Sequence, residues 1–309
     1  MVQFNGSFAV ILNPQAGAGQ GREHLENLRS LTLQNGGSFF LSRSPGHAIH
    51  LAHQASVRRV SLIFAAGGDD TVREVLRGLP RSSPPRLGII PVGTFNNFAT
   101  SLHLPEEPSE ALLQTLRGRD ACLDLGKVEN GPFFIESVGI GLDSEAWSQA
   151  PQEEPIGMAR WFTGIRVGFN ALTEYVPKRL RIAVDGRVLD IREVMQVIVA
   201  NSRCFGARLQ IAPRARLDDG LLDVCIVPPM SKAKLLTALP LFFYGKQLEY
   251  LPALRYYQCR KISISAKKET PARVDGLLEG CLPITIRSLP KSLPVRLPAA
   301  CFRDDGTLK

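Results

Sequence analysis

The chain reads as an α/β domain built on a parallel sheet, followed by a β-rich antiparallel domain. Three observations predict this. Up to about Asp120, short apolar β-prone runs alternate with helical patterns, as in a parallel sheet covered on both faces. From about Cys122, strand-like runs follow one another with few helices between them, as in antiparallel sheets. At 309 residues the chain is long enough for two cores. The expected domains are 1–121 and 122–309, with the extreme C-terminus free to pack back on the first. No low-complexity linker or internal repeat separates them.

Residues 8–12 make the first strand, and 13–21 a glycine-rich loop leading into a helix over about 22–34. The loop lacks the Lys-Ser/Thr of a Walker A motif and is not a clean G-x-G-x-x-G. Residues 37–42 form a second strand and 48–57 a second helix. A buried strand over 60–64 then runs through Ala65, Ala66, Gly67 and Gly68 into a helix. Its apolar stripe is Val72, Val75, Leu76 and Leu79, at i, i+3, i+4 and i+7. Thr71 with Glu74 has capping-box spacing at the helix start. Residues 86–92 are a strand leading through Gly93 into a further helix, and 109–117 are helical after Pro108.

In the second domain 133–138 is strand-like, with Gly139-Ile140-Gly141 as a turn. A helix or helical hairpin is expected over 159–175, its apolar face being Trp161, Phe162, Ile165, Phe169 and Leu172. Asp185-Gly186 between 180–184 and 187–191 signals a hairpin. Further strands are expected at 194–200, 222–227, 261–265 and 283–287.

Composition narrows the classes. Hydrophobic residues at 44% and charged residues at 21% are globular values. A net charge of +8 suggests an anionic partner, but the basic residues lie in small groups without a dense arm, so nucleic acid is not expected. An anionic membrane surface, touched peripherally, fits better. Six widely spaced cysteines with no C-x-x-C pair argue against a zinc site or disulfide framework. Residues 1–10 show no secretory signal, and the apolar run 235–244, interrupted by Pro240, is too short to span a bilayer. A cytoplasmic location follows; a homodimer is left open. His47, His50 and His53 recur every third residue without an H-E-x-x-H, which reads as a helix surface, and no G-x-S-x-G elbow is present.

The three glycine-bearing turns, at Gly17 to Gly21, Gly67-Gly68 and Gly93, all fall at carboxyl ends of strands, where ligands of parallel sheets collect. Paired glycines can adopt backbone angles closed to other residues, and a following helix start adds its positive dipole end. The product is an anion cradle suited to phosphate or a nucleotide.

Three motifs in this order resemble the diacylglycerol kinase catalytic-domain family, which includes bacterial lipid kinases and sphingosine kinases. They are Gly67-Gly68-Asp69-Asp70-Thr71, then Pro91-Val92-Gly93-Thr94-Phe95-Asn96-Asn97-Phe98-Ala99, then Ile211-Ala212-Pro213 with Leu217-Asp218-Asp219-Gly220-Leu221-Leu222-Asp223-Val224. Asn13-Pro14 and Val274-Asp275-Gly276 fit the same pattern, and the resemblance covers nearly the whole chain. It implies ATP-dependent phosphorylation of a lipid hydroxyl, diacylglycerol-like or sphingoid-like, on a Rossmann-like, NAD kinase-related fold, with ATP on the first domain. Asn13, Ser42, Gly67, Gly68, Asp69, Asp70, Thr71, Val72, Arg73 and Thr94 match the ATP-binding positions. Arg216, Asp219 and Leu221 match a Mg²⁺ site of one carboxylate and two backbone carbonyls. Asp275 matches the general base, and Asp124 a position linked to the metal. By composition alone Asp275-Gly276 favours a hairpin turn, and only its place in the set of motifs points to the base.

The chain departs from the pattern in places. Asp70 stands where glycine is usual, which puts a carboxylate beside the expected phosphates and removes a residue tolerant of positive φ. Arg73 replaces a usual asparagine. Leu277 stands where an acid commonly follows the base, with Glu279 two residues on. A second reading, a catalytically weak lipid-binding or regulatory protein, rests on Asp70 and Leu277. A third, an NAD kinase, rests on the glycine turn and is disfavoured by the Leu-Asp-Asp-Gly-Leu-Leu-Asp stretch.

Overall fold

The computed structural model describes residues 4, 6–148, 175–191 and 193–309. The helix expected over 159–175 lies outside them except at Tyr175. The chain divides into two compact units, Met1–Leu123 with Lys291–Lys309, and Asp124–Pro290.

In the first unit β1 (Phe8–Leu12), β2 (Ser38–Leu41), β3 (Leu62–Gly67) and β4 (Arg86–Pro91) form a parallel sheet in the order β2-β1-β3-β4. The helices are α1 (Leu25–Gln34), α2 (His47–Val57), α3 (Asp69–Gly78), α4 (Asn97–Ser101) and α5 (Pro108–Leu116). Side chains of a strand alternate between faces, so Phe8, Val10 and Leu12 share one face. There they pack with Leu28 of α1 and with Leu112 and Leu116 of α5. Helices α2 and α3 pack on each other and bury Ala48, Ala52, Ala55, Val72 and Val75. Every residue of β1 and β3 is buried, which is what a sheet covered on both faces demands of its central strands.

Three local expectations fail here for identifiable reasons. The first helix begins at Leu25, because Ala16–Arg22 coils as a short 3-10 segment broken by left-handed Gly17, Ala18 and Gly19. The Thr71-Glu74 capping box does not form. Gly68 is the N-cap of α3, and Thr71 N–H donates to Gly68 O at 2.9 Å. Glu74 instead accepts the N–H groups of Gly46 (2.8 Å) and Ala48 (3.3 Å) at the start of α2. The N-cap of α2 is Gly46, which has no side chain to offer, so the unpartnered N–H groups of that helix take their acceptor from α3. Finally, neither Gly67 nor Gly68 has positive φ. They are glycine for want of space, as the site geometry shows.

The second unit contains the rest of β5 (Arg119–Val128), β6 (Phe133–Phe134), β7 (Ser137–Gly141), α6 (Leu142–Ser148), β8 (Leu180–Val184), β9 (Arg187–Val188), β10 (Gln196–Ala200) and β11 (Leu222–Val227). Then come α7 (Lys232–Phe243), α8 (Gln247–Tyr250), β12 (Arg255–Cys259), β13 (Lys261–Ala266), β14 (Pro271–Val274), β15 (Leu277–Cys281) and β16 (Ile284–Leu297). One antiparallel sheet has the order β12-β11-β10-β7-β14-β15. Strands β9, β8, β13 and the start of β16 pair antiparallel beside it. Val138, Val197, Val224 and Val274 of the first sheet share a core with Ile182, Ile262, Ile264 and Ile286 of the second. On the other face of the six-stranded sheet, Ile198, Ala200, Cys225 and Val227 pack with Ala238 and Phe242 of α7. The last residues of β16 belong to the first unit, where Val295 aligns in parallel with Leu87 of β4.

The Asp185-Gly186 hairpin forms as the sequence predicts, with φ of 45° and 84°. The expected strand over 133–138 is instead split into β6 and β7 by a link at Ile135 and Glu136, and Gly139-Ile140-Gly141 continues β7 rather than turning. The expected strand at 283–287 runs from Ile284 as far as Leu297.

Replacing Glu74 by Ala removes the shared cap of α2. Glu74→Ala is expected to lower stability by about 1 kcal/mol in urea unfolding monitored on the first unit, with Glu74→Gln intermediate.

Candidate functional site

In the first unit the marked residues gather where the strands end. Asn13 N–H donates to Ala66 O and Ser42 N–H to Leu12 O, each at 2.9 Å, and Val92 N–H donates to Gly67 O at 3.0 Å. These bonds carry the sheet one residue past each strand and line the loops along one edge. Asn13 bridges two of them: its Nδ2 donates to Thr71 Oγ1 at 3.1 Å while its Oδ1 accepts Gln15 N–H at 3.0 Å. The loops touch through bare backbone. A Cβ on Gly93 would overlap Gly68 Cα, one on Gly67 would overlap the Thr71 side chain, and one on Gly17 would lie 2.5 Å from Val92 O.

Asp69 ties α3 to the next loop. Its Oδ2 and Oδ1 accept the N–H groups of Asn97 and Phe98, both at 3.0 Å, at the start of α4. The carboxylate therefore serves another helix's dipole end. Ahead of it Asn96 adopts the left-handed region at φ 52°, and its side-chain amide exchanges hydrogen bonds with Gly93 N–H and O, both at 2.8 Å. Asp70 lies inside the first turn of α3, not at a left-handed position, so the substitution of glycine there strains nothing. Its Oδ1 pairs with Arg73 Nη2 at 2.8 Å, the Arg73 side chain being only 8% exposed. Ser42 is buried at 6%, Thr94 is exposed in the loop after β4, and Val72 points into the core at 2% exposure. Val72 is the marked residue whose apolar side chain belongs to the core.

In the second unit a group of carboxylates surrounds the turn 217–223. Asp124 N–H donates to Leu217 O at 2.7 Å, and Asp124 Oδ2 accepts Gly220 N–H at 2.6 Å. Asp219 Oδ1 accepts Leu221 N–H at 2.9 Å. Arg216 forms a two-pronged pair with Asp218, Nε to Oδ1 at 3.1 Å and Nη2 to Oδ2 at 3.3 Å. Partial burial holds the Asp219 carboxyl above its ordinary value, helped by the charges of Asp124 and Asp218 and opposed by Leu221 N–H and Arg216. Buried at 1% exposure, Asp223 is pushed up to about 6, chiefly by desolvation, while the Tyr256 hydroxyl donates to its Oδ1 at 2.7 Å. Asp223 stands in the motif 217–224 without matching any of the family's site positions. The signal was there: an aspartate inside a run of apolar strand residues.

Asp275 occupies the β14–β15 turn at φ 46°, with Gly276 at 81°. Its side chain does not face solvent as a turn aspartate's would. It is 7% exposed. Its Oδ2 accepts Ile135 N–H at 2.9 Å, and its Oδ1 accepts Glu136 N–H at 2.8 Å and Ser137 N–H at 3.1 Å. Those donors are the break between β6 and β7. Arg273, which the sequence reading passed over, braces the same turn from β14.

Elsewhere, His47 Nδ1 accepts Arg43 N–H at 3.0 Å. Among the described residues no three His, Cys, Asp or Glu side chains gather to hold a metal by themselves, and no helix is long and apolar enough to cross a membrane.

A parallel α/β unit with close-packed glycine loops is joined to an antiparallel sandwich with acidic turns. Comparison with known proteins identifies the family. Residues 7–128 match the diacylglycerol kinase catalytic domain, and residues 136–297 match the YegS C-terminal NAD kinase beta sandwich-like domain. The diacylglycerol kinase of Bacillus subtilis strain 168 is 28% identical over 293 residues, covering 94% of this chain and 95% of that one. The diacylglycerol kinase of Staphylococcus haemolyticus is 28% identical over 302 residues, covering 96% and 90%. A crystal structure of a candidate diacylglycerol kinase from Bacillus anthracis strain Sterne superposes with a TM-score of 0.78 at 25% identity, covering 97% of both chains. An Archaeoglobus fulgidus NAD kinase shares the fold alone, with a TM-score of 0.53 at 15% identity over 94% and 93%. The chain belongs to the family that joins a diacylglycerol kinase catalytic domain to a YegS-type C-terminal domain. The family is one of lipid kinases, transferases with an alcohol acceptor.

The raised Asp223 carboxyl has a consequence for stability. The folded state holds this proton more tightly than the unfolded chain, so Asp223 costs stability increasingly as pH rises from about 4 to about 6, and fully above that. Asp223→Asn keeps an acceptor for Tyr256. It is expected to raise stability above pH 6 by on the order of 2 kcal/mol and to gain little at pH 4, read by thermal unfolding across that range.

Proposed function

We propose that the chain transfers the γ-phosphate of ATP to the hydroxyl of diacylglycerol or a close lipid analogue. The observation that carries this reading is the fixation of Asp275. A buried carboxylate whose two oxygens accept three backbone N–H groups is held in one orientation and in its ionised, acceptor form, as a base for a lipid hydroxyl must be. In this reading Asp275 takes the proton as the new phosphorus–oxygen bond forms.

Asn13, Ser42, Thr94 and the segment from Gly67 to Arg73 receive ATP. Their loops approach closely through backbone, so N–H groups rather than bulky side chains meet the phosphates. Two carboxylates near an anion would repel it, but both are engaged. Asp69 is spent on the start of α4 and Asp70 on Arg73. Mg²⁺ fits the donor set of the second unit, where Asp219 and its neighbours are hard oxygen donors. Asp219 is held above its ordinary value chiefly by partial burial and in addition by the charges of Asp124 and Asp218, and a cation would relieve that repulsion. Asp219 with the backbone carbonyls of Arg216 and Leu221 would hold the ion, with Asp124 beside them. When bound, the metal neutralises charge on the transferring phosphoryl group. The +8 charge supports work at an anionic bilayer from the cytoplasmic side.

The test is transfer of labelled phosphate from ATP to dioleoylglycerol in mixed micelles with Mg²⁺, with sphingoid base and NAD as parallel acceptors. Diacylglycerol is expected to be the acceptor, and Asp275→Asn to lower kcat by about 100-fold or more with the protein still folded. Transfer to the sphingoid base or to NAD alone would reassign the acceptor. No transfer to any of the three would replace catalysis with the lipid-binding reading.

The Asp70–Arg73 pair gives a second test. Arg73→Gln leaves Asp70 unneutralised and is expected to raise KM for ATP by about three- to fivefold, and adding Asp70→Asn is expected to restore it.

A further inference from the structure

We infer that Arg273 is a positioning residue. Anchored on Asp143, its guanidinium holds the Asp275-Gly276 turn in the conformation that seats Asp275 on the β6–β7 link. The inference rests on the reading of Asp275 as the base.

Arg273 lies on β14 and is 8% exposed. Its Nε and Nη2 donate to Gly276 O at 3.0 and 2.6 Å, and its Nη1 donates to Asp143 Oδ1 at 2.6 Å. Asp143 is the second residue of α6, which begins where β7 ends, and its N–H donates to Gln196 Oε1 at 2.9 Å. On the other side of the turn, Asp275 N–H donates to Ser137 O at 2.9 Å while its carboxylate accepts the N–H groups of 135–137. One stretch of chain, 135–143, thus grips the turn twice: through Asp275 at its start and through Arg273 near its end.

The same unit contains a built-in comparison. Asp185-Gly186 is a second Asp-Gly turn between antiparallel strands, with φ of 45° and 84° against 46° and 81°. Two residues before Asp185 stands Ala183, where Arg273 stands two residues before Asp275. The turn itself therefore forms without a guanidinium. Asp185 is exposed and accepts the N–H groups of Arg260 and Lys261, whereas Asp275 is buried. Burying a guanidinium costs several kcal/mol that a well-packed apolar side chain avoids, so stability alone does not call for arginine. Two donors on one carbonyl and a third on a fixed carboxylate instead define an angle and a distance. Leu277, on the far side of the turn, offers no polar hold in exchange.

The experiment compares Arg273→Met, Arg273→Lys and Asp143→Asn with Asp275→Asn and the parent chain, measuring kcat, KM for ATP and thermal unfolding. Arg273→Met is expected to lose at least about tenfold in kcat with KM for ATP within about twofold, Arg273→Lys to recover part of the loss, and Asp143→Asn to fall between. A kcat for Arg273→Met within about threefold of the parent, while Asp275→Asn is inactive, overturns the positioning role and leaves the base intact. A parent-like kcat for Asp275→Asn overturns the base and the positioning role together. Should Arg273→Met not fold, Arg273→Lys and Asp143→Asn carry the comparison: a loss of kcat at constant KM supports the role, and parent-like kcat in both overturns it.

Discussion

Backbone N–H groups left over at helix starts and strand breaks have to meet an oxygen, and in this chain carboxylates meet them across long stretches of sequence. Glu74 takes two at the start of α2, and Asp69 takes two at the start of α4. Asp185 takes those of Arg260 and Lys261, Asp124 takes Gly220, and Asp275 takes three between β6 and β7. Glu74 and Asp69 staple helices that share no sheet, while Asp185 and Asp275 add to strand pairings at the ends of their hairpins. In the first unit the staples bring the glycine loops against one another. In the second they fix the two acidic turns. A carboxylate suits the task because it accepts at both oxygens and its hydrogen bonds are charge-assisted.

This use of acids also decides where negative charge remains available. Asp69 and Glu74 spend theirs on N–H groups, and Asp70 and Asp143 spend theirs on buried arginines. The turn 217–223 is different. Asp124, Asp218 and Asp219 crowd together with Arg216 as the near cation, and Asp219 rises above its ordinary value. Asp223 rises further, chiefly because burial strips its carboxyl of water, against the lowering pull of the Tyr256 hydroxyl. A strongly positive chain thus carries a local excess of acid. That is the condition under which a divalent cation gains most, since it removes repulsion that the fold itself has built.

The strands and the glycine loops were legible because their signals are local. The run 8–12 is apolar throughout, and the stripe Val72, Val75, Leu76 is helical in period. The Asp185-Gly186 hairpin follows from turn chemistry alone. What was not legible is the far partner. Thr71 and Glu74 have perfect capping-box spacing, yet the N–H groups of α2, 26 and 28 positions away, win Glu74 because Gly46 leaves that helix without a cap of its own. The paired glycines read as a demand for unusual backbone angles. Gly67 answers instead to the Thr71 side chain and Gly68 to the approach of Gly93, a contact that no local pattern announces. Asp70 read as a strained substitution only until α3 was seen to start at Asp69. Arg273 left no trace, since its partners lie three residues away on a turn and 130 residues away on α6.

For Asp275 the sequence leaves two readings open, hairpin turn and catalytic base, and the two are compatible: the turn angles and the hydrogen bonding of the carboxylate make separate demands on the residue. Aspartate is among the few residues other than glycine that tolerate the left-handed angles of the turn, and asparagine tolerates them as well. Asparagine, however, has a single acceptor oxygen, and Asp275 accepts at both, from three donors. The turn angles therefore explain a small polar residue, while the β6–β7 break explains the charge. A carboxylate chosen on both counts is held in one orientation by its three donors. In the proposed reading proton acceptance needs no reorganisation of the site, and the hairpin is the means by which the fold would supply the base.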